Sequence, residues 1–187
     1  MTLAGGVDVM SRGPYIIPTQ RWGARMGDAA VIDMITGALH DPFGVGHMGI
    51  TAENVAADYG ISREDMDQFS AQSQALAAHA IDAEYFKSQI TPLELTTRRK
   101  IVTFNRDEFI RAETTVESLA GLRAAFAKDG LVTAGNSSGI NDGTASLVLA
   151  NASVIEVNKV NPLARIVAYW FGGVPSRIMG MLSLIHI

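Results

Sequence analysis

A run rich in glycine and asparagine, residues 133–145, constrains the fold of this chain more than any other stretch. It reads T-A-G-N-S-S-G-I-N-D-G-T-A and lies between apolar residues 131–132 and 147–149. Glycine permits positive φ, and Asn, Asp and Ser bond their own backbone, so the run predicts a tightly turned loop between two buried extended segments. Such a loop is either a plain turn or a backbone-lined cradle for a ligand.

The spacing of the glycines limits which ligands such a cradle could bind. Gly135, Gly139 and Gly143 are four residues apart, which fits neither G-x-G-x-x-G nor the P-loop, and no Lys follows the last glycine. We therefore do not expect a nucleotide-phosphate loop of either kind.

The amino-acid composition limits which classes of protein and which partners are expected. With 187 residues, 48% of them hydrophobic, the chain can form one or two globular domains. Its net charge of −4 gives no reason to expect nucleic acid or an anionic membrane as a partner. The absence of cysteine excludes disulfides and a cysteine nucleophile from this chain, and we predict no metal site. Because no signal peptide or spanning run is present, we expect a cytoplasmic protein.

The first half of the chain predicts a strand end, a loop and two helices. Residues 1–9 read as the end of a strand, and residues 10–30 as an irregular loop with apolar side chains to bury. One helix is expected from Thr51 as N-cap to Gly60 as C-cap. The next begins at Ser62, which forms an acidic capping box with Asp65. Its predicted core-facing stripe consists of Met66, Phe69, Ser73, Leu76, Ala77, Ala80 and Ile81.

The second half predicts a hairpin, two further helices and two buried strands. Residues 90–95 and 101–104 read as strands around a basic turn. A capping box of Thr114 and Glu117 opens a helix with Leu119, Leu122 and Phe126 on its apolar face and Gly130 at its end. Residues 145–150 and 164–171 are apolar runs typical of strands buried on both sides, with a short helix over 153–159 between them.

Five motifs together resemble the thiolase family, most closely its acetyl-CoA acetyltransferase and β-ketothiolase branch. They are A-G-G-V-D-V-M-S-R-G-P-Y (4–15), G-A-R-M-G-D (23–28), H-M-G-I-T-A-E-N-V-A (47–56), S-R-E-D-M-D (62–67) and T-A-G-N-S-S-G-I-N-D-G (133–143). The resemblance covers residues 4–180 and implies a layered α/β thiolase-like fold that is incomplete here. The implied parts are the end of a core strand of the N-terminal half (1–9), the inserted coenzyme A-binding loop domain (10–140), the last strand and helix of that half (141–160) and the start of the C-terminal half (161–181).

The resemblance also implies the activity. Thiolases are acyltransferases that condense acetyl-CoA with an acyl-CoA, or cleave a 3-ketoacyl-CoA, through an acyl-cysteine intermediate. The catalytic cysteines and histidines of the family fall in motifs that this sequence does not contain, so we predict no catalytic residue here and no turnover by this chain alone. Acyl-CoA is the implied substrate, with no tightly bound cofactor, and the full-length parent is implied to be a homodimer or homotetramer.

The residues carried over from the family lie on the coenzyme A side of its site. Arg111 matches a position at the nucleotide end of the cofactor, where a guanidinium suits phosphate. The others match positions along the pantetheine arm and acyl pocket: Leu39, His47, Met48, Ser118, Phe126, Ala134 and Ser138. Each has an ordinary alternative, such as a solvated Arg, a first-turn helix Ser, or a Phe in the core.

Two alternatives to an enzyme role stay open. The loop domain could bind coenzyme A without chemistry, or the loop at 13–27 could assemble subunits. A chain holding only part of each core half should expose apolar strand faces, so we also predict poor solubility. Residues 182–187, L-S-L-I-H-I, resemble one translated frame of a sequencing-library adapter; we expect a non-native tail there, the alternative being a natural apolar end.

Overall fold

The computed structural model describes residues 1–96, 98 and 100–182. The chain divides into two compact units, one formed by Met1–Thr51 with the chain from Ile140 onward and the other by Ala52–Gly139. The strands of the described part are β1 (Thr2–Val9), β2 (Tyr15–Ile16), β3 (Ile32–Asp33), β4 (Leu93–Thr96), β5 (Ile101–Phe104) and β6 (Asp142–Leu149). Its α-helices are α1 (Met34–Ala38), α2 (Met48–Tyr59), α3 (Arg63–Asp82), α4 (Val116–Ala120) and α5 (Ala152–Asn158).

The first unit is built on an antiparallel ribbon of β1 and β6. The register runs from Thr2 opposite Leu149 to Val9 opposite Asp142. The expected burial of β6 on both sides is wrong in this structure, since Leu147 is 67% exposed. A two-stranded ribbon needs a further layer to cover its faces, and the described residues supply none. The predicted exposure of apolar strand faces is therefore confirmed, while poor solubility stays a prediction.

The ribbon is closed at one end by Asp142. One carboxylate oxygen accepts from the Ser11 N–H at 2.9 Å and the other from the Ser11 hydroxyl at 2.5 Å. These two hydrogen bonds hold the pKa of Asp142 below its usual value. The side chain thus ties the start of β6 to the turn that follows β1.

The segment between β1 and α2 is irregular, as expected. β2 and β3 form a two-residue antiparallel pair, and Asp33 caps α1 by accepting from the Ile35 N–H at 2.8 Å. Between them, Trp22 is 87% exposed.

The end of the described chain departs from the expectation. α5 begins after Asn151, which accepts from the Val154 N–H at 3.0 Å, so the predicted short helix is confirmed. No strand forms over residues 164–171, however, and Trp170 is 88% exposed. A strand forms only where its backbone pairs with a neighbouring strand, and residues 164–171 pair with no other segment of the described chain. Of the expected tail, Leu182 ends a 3-10 helix, whereas residues 183–187 lie outside the described residues.

Helix boundaries in the second unit follow their predicted caps in part. The Ser62 and Asp65 capping box of α3 is confirmed, and Gly60 ends α2 with φ +64°. Thr51, in contrast, is not an N-cap. It lies inside α2, 1% exposed, and its hydroxyl donates to the Met48 carbonyl at 2.7 Å.

The predicted core stripe of α3 is wrong in part, because Met66, Ala77, Ala80 and Ile81 are half-buried whereas Phe69, Ser73 and Leu76 are exposed. Phe69 and Leu76 are 73% and 60% exposed, and the most buried residue of the helix is Asp67. The helix turns that acidic position inward because Asp67 is paired there, with the Arg63 guanidinium at 2.7 Å. Arg63 also reaches the Leu119 carbonyl of α4 at 2.6 Å, which joins the two helices.

The hairpin of β4 and β5 is confirmed, with Leu93 opposite Phe104; Thr97 and Arg99 of its basic turn lie outside the described residues. α4 starts one residue later than predicted and is much shorter. Its capping box is formed by Thr115 and Ser118, because the Thr114 hydroxyl donates instead to the Arg111 carbonyl at 2.8 Å.

The predicted continuation of α4 to Gly130 is also wrong. The chain leaves the helix at Gly121 and pairs instead with the start of the glycine-rich run, with Ala124 bridging Thr133 and the Ala125 N–H donating to the Val132 carbonyl at 2.8 Å. None of the described helices has the length and apolar character needed to cross a bilayer.

Candidate functional site

The glycine-rich loop is organised around Thr133, which is fully buried. The Thr133 hydroxyl accepts from the N–H groups of Gly135 and Asn136 at 3.2 and 3.3 Å, and its own N–H donates to the Asn136 side-chain oxygen at 2.7 Å. The Ser137 hydroxyl donates to the Thr133 carbonyl at 2.6 Å. These four hydrogen bonds hold the backbone of residues 133–137 in its turned conformation.

Asn136 connects the loop to α3. Its side-chain NH2 donates to Asp67 Oδ1 and to the Leu131 carbonyl, both at 3.1 Å. The other carboxylate oxygen of Asp67 accepts from Arg63 Nε. A buried carboxylate is tolerated when charged and neutral donors occupy its oxygens, and this one has a donor on each.

Glu53 of α2 holds the backbone that leads into the loop. Its two carboxylate oxygens accept from the N–H groups of Leu131 and Val132, each at 2.9 Å. A Cβ on Gly130 would collide with the same carboxylate, so glycine is needed there for the close approach. A helix side chain thus fixes the entry of the loop from outside it.

The glycines of the run do not have the role expected of them. None of Gly135, Gly139 and Gly143 adopts positive φ. A Cβ on Gly135 would lie 2.5 Å from Cδ2 of Leu119 and 2.5 Å from Cδ1 of Leu122. Gly135 is therefore required because the loop backbone packs directly on α4.

Five of the residues carried over from the family fall in the second unit. Ala134 and Ser138 are exposed on the loop, and Ser118 is exposed in the first turn of α4, on which the loop packs. Phe126 is half-buried and follows the segment that pairs with residues 132–133. Arg111 is exposed, and its N–H donates to the Gln74 side chain of α3 at 2.8 Å.

Ser118 differs from the loop residues Ala134 and Ser138 in the polar groups that it offers to a ligand. The Ser118 hydroxyl already donates to the Thr115 carbonyl at 2.7 Å and accepts from the Thr115 N–H at 3.1 Å, as a first-turn serine would. By contrast, the hydrogen bonds among the described residues use neither the N–H nor the hydroxyl of Ser138, whereas the Ala134 N–H faces the Arg123 carbonyl across the Ala124–Thr133 bridge. The outward side of the loop therefore presents donors that remain available to a ligand.

The other three carried-over residues, Leu39, His47 and Met48, are brought together in the first unit. The Met48 N–H donates to the Leu39 carbonyl at 2.8 Å, and His40 bridges His47 with ring centroids 5.2 Å apart. His47 Nδ1 accepts from the Gly49 N–H at 3.0 Å, in the first turn of α2. This bond requires Nδ1 without a proton, so His47 caps the helix in its neutral form.

The pKa of His47 is lowered by burial and, to a lesser degree, by repulsion from His40. Because the unfolded chain then takes up the proton more readily than the folded chain, the stabilisation by His47 is complete above about pH 6.5 and is lost as the pH falls through the lowered pKa.

We expect His47→Asn, which keeps an acceptor at the cap without titrating, to make the melting temperature depend less on pH between about pH 5 and 7.5. Thermal melts of this variant and of His79→Asn, an exposed histidine of α3, check this; equal slopes in the two would contradict it.

Sequence reasoning missed the residues that shape the loop: Glu53, Arg63, Asp67 and Asn136. A signal existed for part of this set, since Arg63 and Asp67 are four apart and an i, i+4 pair lies on one helix face. Asn136 was seen only as a turn residue. For Glu53 no local signal exists, because its partners are 78 and 79 residues away.

Comparison with known proteins places the chain. A profile described as thiolase, N-terminal domain, matches residues 1–153. The chain is 47% identical to beta-ketothiolase BktB of Cupriavidus necator and 48% identical to acetyl-CoA acetyltransferase of Escherichia coli, covering 97% and 96% of itself. It spans 46% of the length of each of these relatives, slightly under half.

Solved structures agree. The acetyl-CoA acetyltransferase of Bacillus anthracis superposes with a TM-score of 0.90 at 45% identity, over 95% of this chain and 45% of that one. Human mitochondrial 3-ketoacyl-CoA thiolase in complex with CoA gives 0.89 at 38% identity, over 96% and 45%. The expected partial thiolase fold is thereby confirmed. Since the profile matches 153 of its 187 residues, the chain belongs to the thiolase family.

Proposed function

We propose that this chain supplies the coenzyme A-binding part of an acetyl-CoA C-acyltransferase, which condenses acetyl-CoA with an acyl-CoA or cleaves a 3-ketoacyl-CoA. The thiolase membership supports the reaction class. Because the chain contains no cysteine, it provides no thiolate for an acyl-enzyme, and its contribution is binding. Coenzyme A enters as part of the substrate and not as a tightly bound cofactor.

The observation that carries this proposal is the outward side of the glycine-rich loop. The backbone from Thr133 to Ser137 is held by hydrogen bonds of the loop, while the N–H and the hydroxyl of Ser138 take part in none of the hydrogen bonds among the described residues. The pantetheine arm of coenzyme A carries two amides, whose carbonyls accept hydrogen bonds from such donors. Since the loop is fixed before binding, little conformational entropy is lost when the arm settles on it.

Further contacts are proposed for the phosphates, the pantetheine arm and the acyl group of the substrate. Arg111 is exposed and takes part in none of the ion pairs of the described residues, so its guanidinium can face a phosphate group. In the second unit, Phe126 would offer apolar surface to the pantetheine arm and Ser118 would lie beside that arm. In the first unit, Leu39 and Met48 would offer apolar surface and His47 would lie beside the acyl group.

Titration with coenzyme A by calorimetry tests the proposal on the chain of 187 residues. We expect saturable binding, weakened about tenfold by Arg111→Ala because one charge-assisted contact to phosphate is lost. Arg123→Ala removes an exposed arginine of the same unit and serves as the matched control, with affinity unchanged. Absence of heat with the unaltered chain, or equal losses in both variants, would contradict the proposal.

A homodimeric or homotetrameric assembly and a cytoplasmic location belong to the same proposal. The assembly is supported by the loop at residues 13–27, where Trp22 is 87% exposed and Met26 is fully exposed. Light scattering on the chain with Trp22→Ser and Met26→Ser together should give a smaller particle than the unaltered chain. An unchanged mass would remove this loop from the interface.

The predicted domain boundaries, with the coenzyme A-binding loop domain over 10–140, are likewise proposed. They describe parts of the family's whole fold, of which this chain spans slightly under half.

A further inference from the structure

Asp67 is the one buried carboxylate among the described residues, with 1% of its surface exposed. Removing an ionised carboxylate from water costs several kcal/mol unless its oxygens accept hydrogen bonds. The residues that donate to a buried carboxylate therefore indicate which part of the structure it holds in place. The partners of Asp67 are Arg63, on its own helix, and Asn136, at the centre of the glycine-rich loop.

The carboxylate decides which way the Asn136 amide points. Asp67 can only accept, so the amide must turn its NH2 toward Asp67 Oδ1, at 3.1 Å. That orientation leaves the amide oxygen facing the Thr133 N–H at 2.7 Å and lets the same NH2 reach the Leu131 carbonyl. In the flipped orientation the amide oxygen would face a carboxylate and the Thr133 N–H would face a second donor.

We infer that Asp67 is a positioning residue, which sets the shape of the coenzyme A loop through Asn136; this rests on the proposed function. With the amide fixed, the backbone between Leu131 and Asn136 closes on itself, and the N–H and hydroxyl donors of Ser138 are left on the outside. Arg63 balances the charge of Asp67 and, by bonding the Leu119 carbonyl, joins this anchor to the helix on which the loop packs.

Asp67→Asn tests the inference at nearly constant size. The new amide has one oxygen for two donors, so one of the bonds to Arg63 and Asn136 must fail. We expect hydrogen exchange of the Gly135 and Asn136 amides to accelerate about tenfold, and coenzyme A affinity to fall by a similar factor. Glu64→Gln, the loss of an exposed carboxylate from the same helix, is the control and should change neither.

Asn136→Asp adds a signature that general destabilisation would not give. At about pH 8 the introduced carboxylate faces that of Asp67 across a hydrogen-bond distance, with only Arg63 to offset the two charges, and the loop should open. At about pH 5.5 the pair can share a proton and donate across the same gap, so exchange protection and affinity should partly recover. If Asp67→Asn fails to fold, this variant decides the inference.

The two readouts separate the possible failures. If the unaltered chain does not bind coenzyme A, the proposed function fails, and the exchange data alone decide whether Asp67 shapes the loop. If both variants leave loop exchange unchanged, the inference is overturned. It is also overturned if the loop loosens while the affinity for coenzyme A stays the same, because Asp67 then has only a structural role.

Discussion

Glu53→Ala should lower the free energy of unfolding by about 2–3 kcal/mol. The variant removes both acceptors from the N–H groups of Leu131 and Val132, which Glu53 holds at 2.9 Å each. Val132 is 6% exposed, so its N–H does not regain water readily when the carboxylate is lost. A buried donor without a partner costs more than an ordinary hydrogen bond gains, and two donors are affected here.

Urea unfolding followed by circular dichroism measures this effect. Glu53→Gln keeps one acceptor and should lose about half as much stability, since only one of the two N–H groups is left facing a donor. Glu156→Ala, which removes an exposed carboxylate from α5, should change stability by less than about 0.5 kcal/mol. Losses of similar size in Glu53→Ala and Glu156→Ala would show that the hydrogen bonds from residues 131–132 to Glu53 do not stabilise the protein.

Gly135→Ala should destabilise the protein by about 1–3 kcal/mol, although it adds a single methyl group. The new Cβ would lie 2.5 Å from side-chain carbons of both Leu119 and Leu122. Leu122 is 38% exposed and can turn aside, but Leu119 is 5% exposed and closely packed, so we expect the loop to lift away from α4. The variant should therefore also weaken coenzyme A binding through Ala134 and Ser138.

Gly143→Ala is the matched control for this prediction. Gly143 belongs to the same run of evenly spaced glycines, its φ is not positive, and no atom lies within 4 Å of the position a Cβ would take. The same chemical change should be neutral or slightly stabilising there, because alanine loses less backbone entropy on folding. Equal destabilisation at the two positions would mean that glycine serves backbone conformation in both, as the sequence pattern alone indicates.

The fold could be predicted from the sequence where local chemistry decides it. The capping box of Ser62 with Asp65, the positive φ of Gly60 and the hairpin of β4 and β5 depend on neighbouring residues, and all three were predicted. One local choice, Thr114 against Thr115 as the cap of α4, went wrong because two adjacent threonines offer the same hydroxyl and the first one donates to the Arg111 carbonyl, three residues earlier.

Burial could not be predicted in the same way. The apolar runs of β6 and of residues 164–171 match strands covered on both sides, yet covering them requires layers that lie elsewhere in a fold. The exposed Phe69 of α3 follows the same rule, since the inward face of that helix was set by the pairing of Asp67 with Asn136. Periodicity identifies an amphipathic element but not the partner it faces.

For the candidate site, too, local sequence patterns could be interpreted but contacts between distant segments could not. Resemblance supplied the residues that would touch coenzyme A, such as Arg111 and Ala134, because those positions stand in recognisable motifs. It gave no account of Glu53 or Asp67, whose roles arise from contacts between distant segments. The expected use of glycine for positive φ at Gly135 was wrong for this reason as well, since close packing on α4 is a tertiary effect.

Mapping coenzyme A onto the chain by amide chemical shifts tests the central claim most directly. The account predicts that addition of coenzyme A to the isotopically labelled chain of 187 residues shifts the amide signal of Ser138 downfield, as it gains an acceptor, and perturbs the signals of Ala134 and Arg111. The inward-facing amides of Gly135 and Asn136, already bonded to Thr133, should change little. Shifts confined to other parts of the chain, or no shift at saturating coenzyme A, would contradict the assignment of this loop as the cradle for the pantetheine arm.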